Sequence, residues 1–294
     1  MSENTKLTIF TPTYNRGKEL KRLYNSLVHQ TCPHFTWLIV DDGSSDQTKD
    51  IVSEMISENK IDISYFYQEN QGKMIAHNKG VEMTKTDLFI CVDSDDILLP
   101  EAVDKILANC HLEDNSFAGW IFLRGKPDGS PLGTPFTDSM LENAKSLTDL
   151  YEKYHFLGDT ALVFRTSIIK QYRFDLYPGE KFIGEDYLYK QIEKDYDFLP
   201  VNDIFYITEY QADGYSENVT AHIMKSPHNY IKLKQICLET SSSVKYKLIH
   251  GIILDAMVIK IKDWHSLFQG KCVALKVILF PLGFVYYMLR FRSV

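Results

Sequence analysis

The first hundred residues repeat one pattern. A short apolar run is followed by an amphipathic stretch, and acidic residues collect where two of the apolar runs stop. LTIFTP (7–12), TWLIVD (36–41), ISYFY (63–67) and DLFICVD (87–93) read as strands. Between them, KELKRLYNSLVHQ (18–30) has apolar residues at 20, 23, 24 and 27, which is helical spacing. Asp46 is the expected N-cap of a second helix holding Ile51, Val52, Met55 and Ile56, and Gly72 to Met83 reads as a third. Continuous apolar strands alternating with helices predict βαβ units and a parallel sheet covered on both faces. Ligands of such sheets bind beyond the carboxyl ends of the strands.

The following part is less regular. FAGWIFLR (117–124) and ALVFR (161–165) read as strands, GKPDGSPLGTP (125–135) as loop, and EDYLYKQIEK (185–194) as helix. The IFYI run before residue 208 is strand-like, and past about 217 the pattern is helical. The expected division is therefore a domain over 1–217 and a helical region over 218–294.

The 294 residues carry a net charge of -7, so the chain lacks the overall positive field of a nucleic-acid binder. Five scattered cysteines without a CxxC pair exclude a disulfide framework or zinc cluster and suit a reducing compartment. The polar start MSENTK shows no signal peptide, and the chain is expected in the cytoplasm.

The chemistry sits at the strand ends. Asp41-Asp42-Gly43-Ser44 closes the second strand and Asp93-Ser94-Asp95-Asp96 the fourth, so folding brings both clusters to one rim. Each alone is an ordinary turn. Carboxylates crowded on one rim repel, and a divalent cation with oxygen ligands, Mg²⁺ or Mn²⁺, relieves the repulsion. Such an ion completes its shell with phosphate oxygens, which points to a nucleoside diphosphate partner.

In order along the chain stand Thr11-Pro12-Thr13-Tyr14-Asn15-Arg16, the DDGSSD run from Asp41, Asn70-Gln71-Gly72-Lys73 with Ala76-His77-Asn78-Lys79-Gly80, Asp93-Ser94-Asp95-Asp96, and Gly184-Glu185-Asp186. Together these pieces resemble family 2 glycosyltransferases of the GT-A fold, over residues 7 to about 216. The resemblance implies that Thr11, Pro12 and Tyr14 lie against a nucleotide base. It implies that Asp41 accepts the base N–H and that Asp42 faces ribose or diphosphate. Lys73 and Asn78 would belong to a loop and helix over the donor, and Asp93 and Ser94 would contact the donor. Asp95, with Asp93, would hold the metal, and Asp96 would either join it or cap the next helix. Where the family often has Arg, this chain has His77, which weakens a fixed charge contact.

Transfer to an alcohol needs a positioned base. The resemblance assigns that role to Asp186, with Glu185 in support, and one carboxylate base fits single displacement with inversion. Asp159, before a strand, and Asp213, in EYQADGYS (209–216), are expected either as acceptor contacts or as plain loop. Tyr187, Tyr189, Tyr196 and Phe198 are expected as core rather than sugar platforms.

The tail VALKVILFPLGFVYYMLRFRSV (273–294) is interrupted by Lys276, broken by Pro281 and flanked by basic residues. It is expected at the inner membrane face, the alternatives being packing on the protein or in a homo-oligomer. The resemblance implies a nucleotide-sugar donor, a UDP-sugar, and a glycan or polyprenyl-diphosphate-linked acceptor in surface polysaccharide assembly. The rival is a catalytically silent nucleotide-binding partner subunit. Neither GxxxxGK[ST] nor GxGxxG occurs, which removes P-loop kinases and dinucleotide oxidoreductases.

Overall fold

A computed structural model describes residues 5–113, 116–208 and 219–292. The described chain divides into two compact units. The first comprises residues 1–147, 156–173 and 196–212, and the second 148–155, 174–195 and 213–294. A single cut at 217 therefore misses two short segments that belong with the helical part.

The first unit is built on a sheet of eight strands: β1 (Leu7–Thr13), β2 (Phe35–Asp41), β3 (Ile63–Tyr67), β4 (Leu88–Cys91), β5 (Ile97–Leu98), β6 (Phe117–Gly125), β7 (Thr160–Arg165) and β8 (Asp197–Ile207). Their order is β3-β2-β1-β4-β7-β6-β8-β5. The first four strands pair in parallel, β7 runs antiparallel to β4 and β6, and β8 is parallel to β6. The mixed α/β sheet matches the expected fold class.

Every residue of β1 and β2 is buried, so neither strand alternates buried with exposed positions. Helices α1 (Gly17–Val28) and α2 (Thr48–Glu58) turn Leu20, Leu23, Leu27, Ile51, Val52 and Met55 inward, onto a core with Trp37 and Ile39. Asp46 Oδ1 accepts the Thr48 N–H at 3.0 Å, so it caps the start of α2 from two residues upstream. Helix α3 (Lys73–Met83) follows β3 and α4 (Ala102–Asn109) follows β5, while α5 (Asp138–Asn143) and α6 (Thr166–Ile169) complete this unit.

The second unit is helical. It holds a five-residue π-helical turn at Asp149–Lys153, α7 (Asp186–Ile192), α8 (Val219–Lys225), α9 (Pro227–Thr240), α10 (Val244–Ile261), α11 (Trp264–Leu267) and α12 (Val273–Tyr286). Pro281 does not break α12, which runs through it. Pro281 is exposed. Gly283 lets α12 lie directly on α10: a Cβ there would meet the Asp255 Cβ at 2.5 Å.

Lys276 does not interrupt the outer face of the tail either. It is fully buried, and its Nζ donates to Gln235 Oε1 at 2.9 Å and to the backbone oxygens of Ser266 at 3.1 Å and Gln269 at 2.6 Å. With the ammonium turned inward, the outward side is apolar: Ile278 is 71% and Leu289 76% exposed, beside Val277, Leu282, Phe284 and Val285.

Candidate active site

The strand order reverses between β1 and β4: the chain steps from β1 to β2 and β3 on one side, and β4 lies on the other. A crevice opens at the carboxyl ends of strands at such a reversal. The loops after β1, β2 and β4 all meet there.

The strand read over 7–12 extends one residue further, through Thr13. Thr11 and Pro12 are buried, and the Thr11 hydroxyl accepts the Trp37 indole N–H at 3.0 Å. Their side chains are therefore spent on the core, because β1 is covered on both faces. Tyr14 is the first residue of this stretch to reach solvent, half exposed. Asn15 follows in the left-handed region at φ 53°, and its Oδ1 accepts the Ser45 N–H at 2.8 Å while its own N–H donates to Ser44 Oγ at 2.8 Å. The first two loops are thereby stapled.

Asp41 and Asp42 are both buried, and both face protein. Asp41 accepts the Tyr65 hydroxyl at 2.6 Å on one oxygen and the Ser44 N–H at 2.8 Å on the other. Both Asp41 oxygens are thus engaged by protein groups. Desolvation and the Asp41 charge push the Tyr65 phenol upward. Asp42 accepts from Gln68 Nε2 at 2.8 Å and from the backbone N–H groups of Gln71 at 2.9 Å and Gly72 at 2.7 Å. It draws the 68–72 loop over the sheet edge. Gly43 makes room for that loop: at φ 86° it lies so close that a Cβ would be 2.7 Å from the Asn70 nitrogen.

The loop leads into α3, whose first residue, Lys73, pairs with Asp93 Oδ1 at 2.7 Å. Ser94 is buried and Asn78 half-buried on α3. Asp95 is half-buried, and among the described residues its carboxylate meets no side-chain partner. Desolvation and the neighbouring Asp93 charge push the Asp95 carboxyl pKa up, with Arg16 and Lys73 opposing. Asp96 is buried, accepts the Tyr206 hydroxyl at 2.7 Å and lies 3.6 Å from Arg124. Desolvation, then Asp93, push its carboxyl up to about 7.

These donors fit a divalent cation of a particular kind. Among the described residues no three His, Cys, Asp or Glu side chains converge on a point. The chain offers an oxygen-only set of one or two carboxylates, Asp95 with Asp93, whose mutual repulsion a cation would relieve. Such a set suits an ion that takes its remaining ligands from phosphate and water.

In the second unit, Asp186 opens α7 and its side chain is exposed. Crowding by surrounding protein still pushes its carboxyl up, against the pull of Lys234 and Lys190. Lys190, one turn further along α7, donates to Thr148 Oγ1 at 2.8 Å and lies 3.8 Å from Glu152. Glu185 accepts the Tyr189 hydroxyl at 3.2 Å.

Three further expectations concern single residues. His77 faces the core, edge-on to Phe10 at 5.7 Å and Phe89 at 5.5 Å, not the donor edge. The Asp159 backbone joins Leu132 and Arg124, tying the 125–135 loop to β7. Asp213 lies outside the described residues. Phe198 is core, as expected, while Tyr187, Tyr189 and Tyr196 are half-buried. Sequence reasoning missed Tyr65, Arg124 and Tyr206. A usable signal existed for the last two, since each is the penultimate residue of a strand ending at the same edge.

The profile of the family described as Glycosyl transferase family 2 matches residues 8–173. The chain belongs to glycosyl transferase family 2. Its fold is that of the family's GT-A members. The 1–349 fragment of S. aureus TarS, solved with UDP, superposes with a TM-score of 0.58 at 18% identity, over 96% of this chain and 89% of that one. The mannosyltransferase PcManGT of Pyrobaculum calidifontis, solved with GDP-Man and Mn²⁺, gives 0.56 at 12% identity, over 98% and 88%. A Bacillus subtilis protein named for teichuronic acid biosynthesis, TuaG, is 32% identical over 149 residues, 48% of this chain and 54% of its own length. The alignments with two further curated relatives span 33% and 27% of those proteins.

Proposed function

We propose that this family member is an inverting glycosyltransferase that moves a sugar from a nucleotide sugar, UDP-linked, to a glycan or polyprenyl-diphosphate-linked acceptor. The observation that carries the reading is the Asp93-Ser94-Asp95 turn, paired with Lys73, at the edge where the strand order reverses. The UDP bound to TarS and the GDP-Man and Mn²⁺ bound to PcManGT support it. Asp95 and Asp93 would hold Mn²⁺ or Mg²⁺. When bound, that ion neutralises charge on the leaving diphosphate.

The chain's own residues supply the rest. Tyr14 flanks the base, and Asp41 sets that edge indirectly, by holding Tyr65 and Ser44. Asp42 shapes the diphosphate loop, and Lys73, Ser94 and Asn78 line the donor. Asp186, oriented by α7 and supported by Glu185, takes the proton from the acceptor hydroxyl. The acceptor oxygen bonds to the anomeric carbon as the bond from that carbon to the diphosphate breaks. An α-linked donor then gives a β-linkage.

The first unit carries the donor chemistry. The apolar outer face of α12 rests on the inner surface of the cell membrane. Residues 244–294 hold eight Lys and Arg against two Asp, in a chain of net charge -7, which suits an anionic lipid surface. TuaG's name supports a role in surface polysaccharide assembly.

Binding and turnover separate the roles. Asp95→Ala is expected to lose Mn²⁺-dependent UDP binding. Asp186→Asn is expected to keep that binding and lose transfer. Equal transfer by Asp186→Asn and the parent would refute the base assignment, and tight UDP-sugar binding without turnover in the parent would favour a silent subunit.

A further inference from the structure

After Cys91 the chain leaves β4 and reaches β5 at Ile97, on the far side of β7, β6 and β8. The turn bearing the carboxylates must therefore cross the ends of three strands before it pairs again. Few backbone partners are available on such a crossing, and flexible carboxylates grip metal poorly.

Two residues meet the turn on the way. Arg124 and Tyr206 are partners in the register of β6 and β8, each one residue from its strand's end. The Arg124 guanidinium lies 4.3 Å over the Tyr206 ring, and its Nε donates to the Thr160 carbonyl at 3.1 Å, the first residue of β7. Tyr206 is fully buried, and its hydroxyl is used twice: it accepts the Asp93 backbone N–H at 3.0 Å and donates to Asp96 Oδ2 at 2.7 Å. One phenol thus grips the turn at both ends, with Asp95 held between.

We infer that Tyr206, clamped by Arg124, is a positioning residue that presets the Asp93–Asp95 backbone for a divalent cation, and that Asp96 serves as the anchor for this phenol. The inference rests on the donor-site reading above. It assigns to β6 and β8, beyond the DSDD motif itself, a share in metal affinity.

The test is a Mn²⁺ titration followed by electron paramagnetic resonance in the presence of UDP, on the full chain. Tyr206→Phe keeps the ring under Arg124 and removes the hydroxyl. It is expected to weaken Mn²⁺ binding about 10- to 100-fold, the range for lost outer-shell partners of a metal site. UDP affinity without metal should stay within about twofold of the parent, because the hydroxyl faces the turn and not the nucleotide. Arg124→Gln, which leaves the phenol but frees the ring, should weaken Mn²⁺ in the same direction. Asp96→Asn keeps an oxygen for the phenol to donate to and should bind Mn²⁺ nearly as the parent does. Unchanged Mn²⁺ affinity in both Tyr206→Phe and Arg124→Gln overturns the inference alone. So does an Asp96→Asn loss as complete as that of Asp95→Ala, since Asp96 would then be a ligand itself. UDP binding by the parent that ignores metal altogether overturns the donor-site reading and this inference with it.

Discussion

Lys73 Nζ lies 2.7 Å from Asp93 Oδ1, so the first residue of α3 and the first carboxylate after β4 form one ion pair at the sheet edge. Both side chains are partly exposed, and the pair alone stabilises the fold little. Its place suggests a different use, since a diphosphate arriving at this edge meets the ammonium. Replacing Lys73 by Gln should therefore weaken UDP binding about tenfold or more, the size of a lost charge-assisted hydrogen bond. Uridine, lacking phosphate, should bind equally well to both proteins, and calorimetry with the two ligands checks this.

Asp42 carries the 68–72 loop on three donors. Asp42→Ala leaves those donors without their acceptor, at about 1–3 kcal/mol for each that stays buried. The loop is expected to detach rather than bear the full cost. Hydrogen exchange should then quicken at the Gln71 and Gly72 amides while amides of β1 and β2 keep their protection. Equal protection of Gln71 and Gly72 in variant and parent would show that other contacts hold the loop.

The pH profile should expose the neighbours of Asp186. Only the ionised carboxylate can accept a proton. Its pKa is raised by desolvation and held back by Lys234 and Lys190. Lys234→Met removes one favourable charge, so the pKa of Asp186 rises further and the acid limb of kcat/KM moves to higher pH. On the alkaline plateau, where the carboxylate is ionised in both proteins, the rates should agree. A limb that stays in place would separate Lys234 from the base.

The tail offers a physical test of the membrane reading. Ile278 and Leu289 are exposed, so charging them should leave the melting temperature unaltered. Burying each in lipid is worth about 1.5–3 kcal/mol. The double substitution Ile278→Glu with Leu289→Glu should lower binding to vesicles of anionic phospholipid about 100-fold or more. Unchanged binding, or loss of a dimer in sedimentation without loss of vesicle binding, would assign the face to another role.

Much of the donor half was legible because its strands are buried on both faces and end in acidic turns. Leu7–Thr13 and Phe35–Asp41 could be read as strands almost to the residue. What a string of letters cannot show is the direction of individual side chains. Asp41 and Asp42 read as ligand groups in a one-dimensional string, and in space they also hold Tyr65, Ser44 and the 68–72 loop. Thr11 alternates toward Trp37, and His77 points at two phenylalanines. The short strand at Ile97–Leu98 gave no periodicity at all, being two residues long. Lys276 and Pro281 were read as interruptions because a linear count of apolar residues ignores which way a helix turns a side chain. Segments 148–155 and 174–195 could not be assigned to the helical unit without coordinates, since nothing local distinguishes them.

The brace on the carboxylate turn has a consequence for how the protein is made. The hydroxyl that ties Asp96 belongs to a residue 110 positions later in the chain. At about 5–20 residues per second, a ribosome needs roughly 5–20 s to synthesise that interval. The carboxylate turn therefore emerges well before its fastening, and a nascent chain stopped short of β8 would have the acidic motif but no means of setting it.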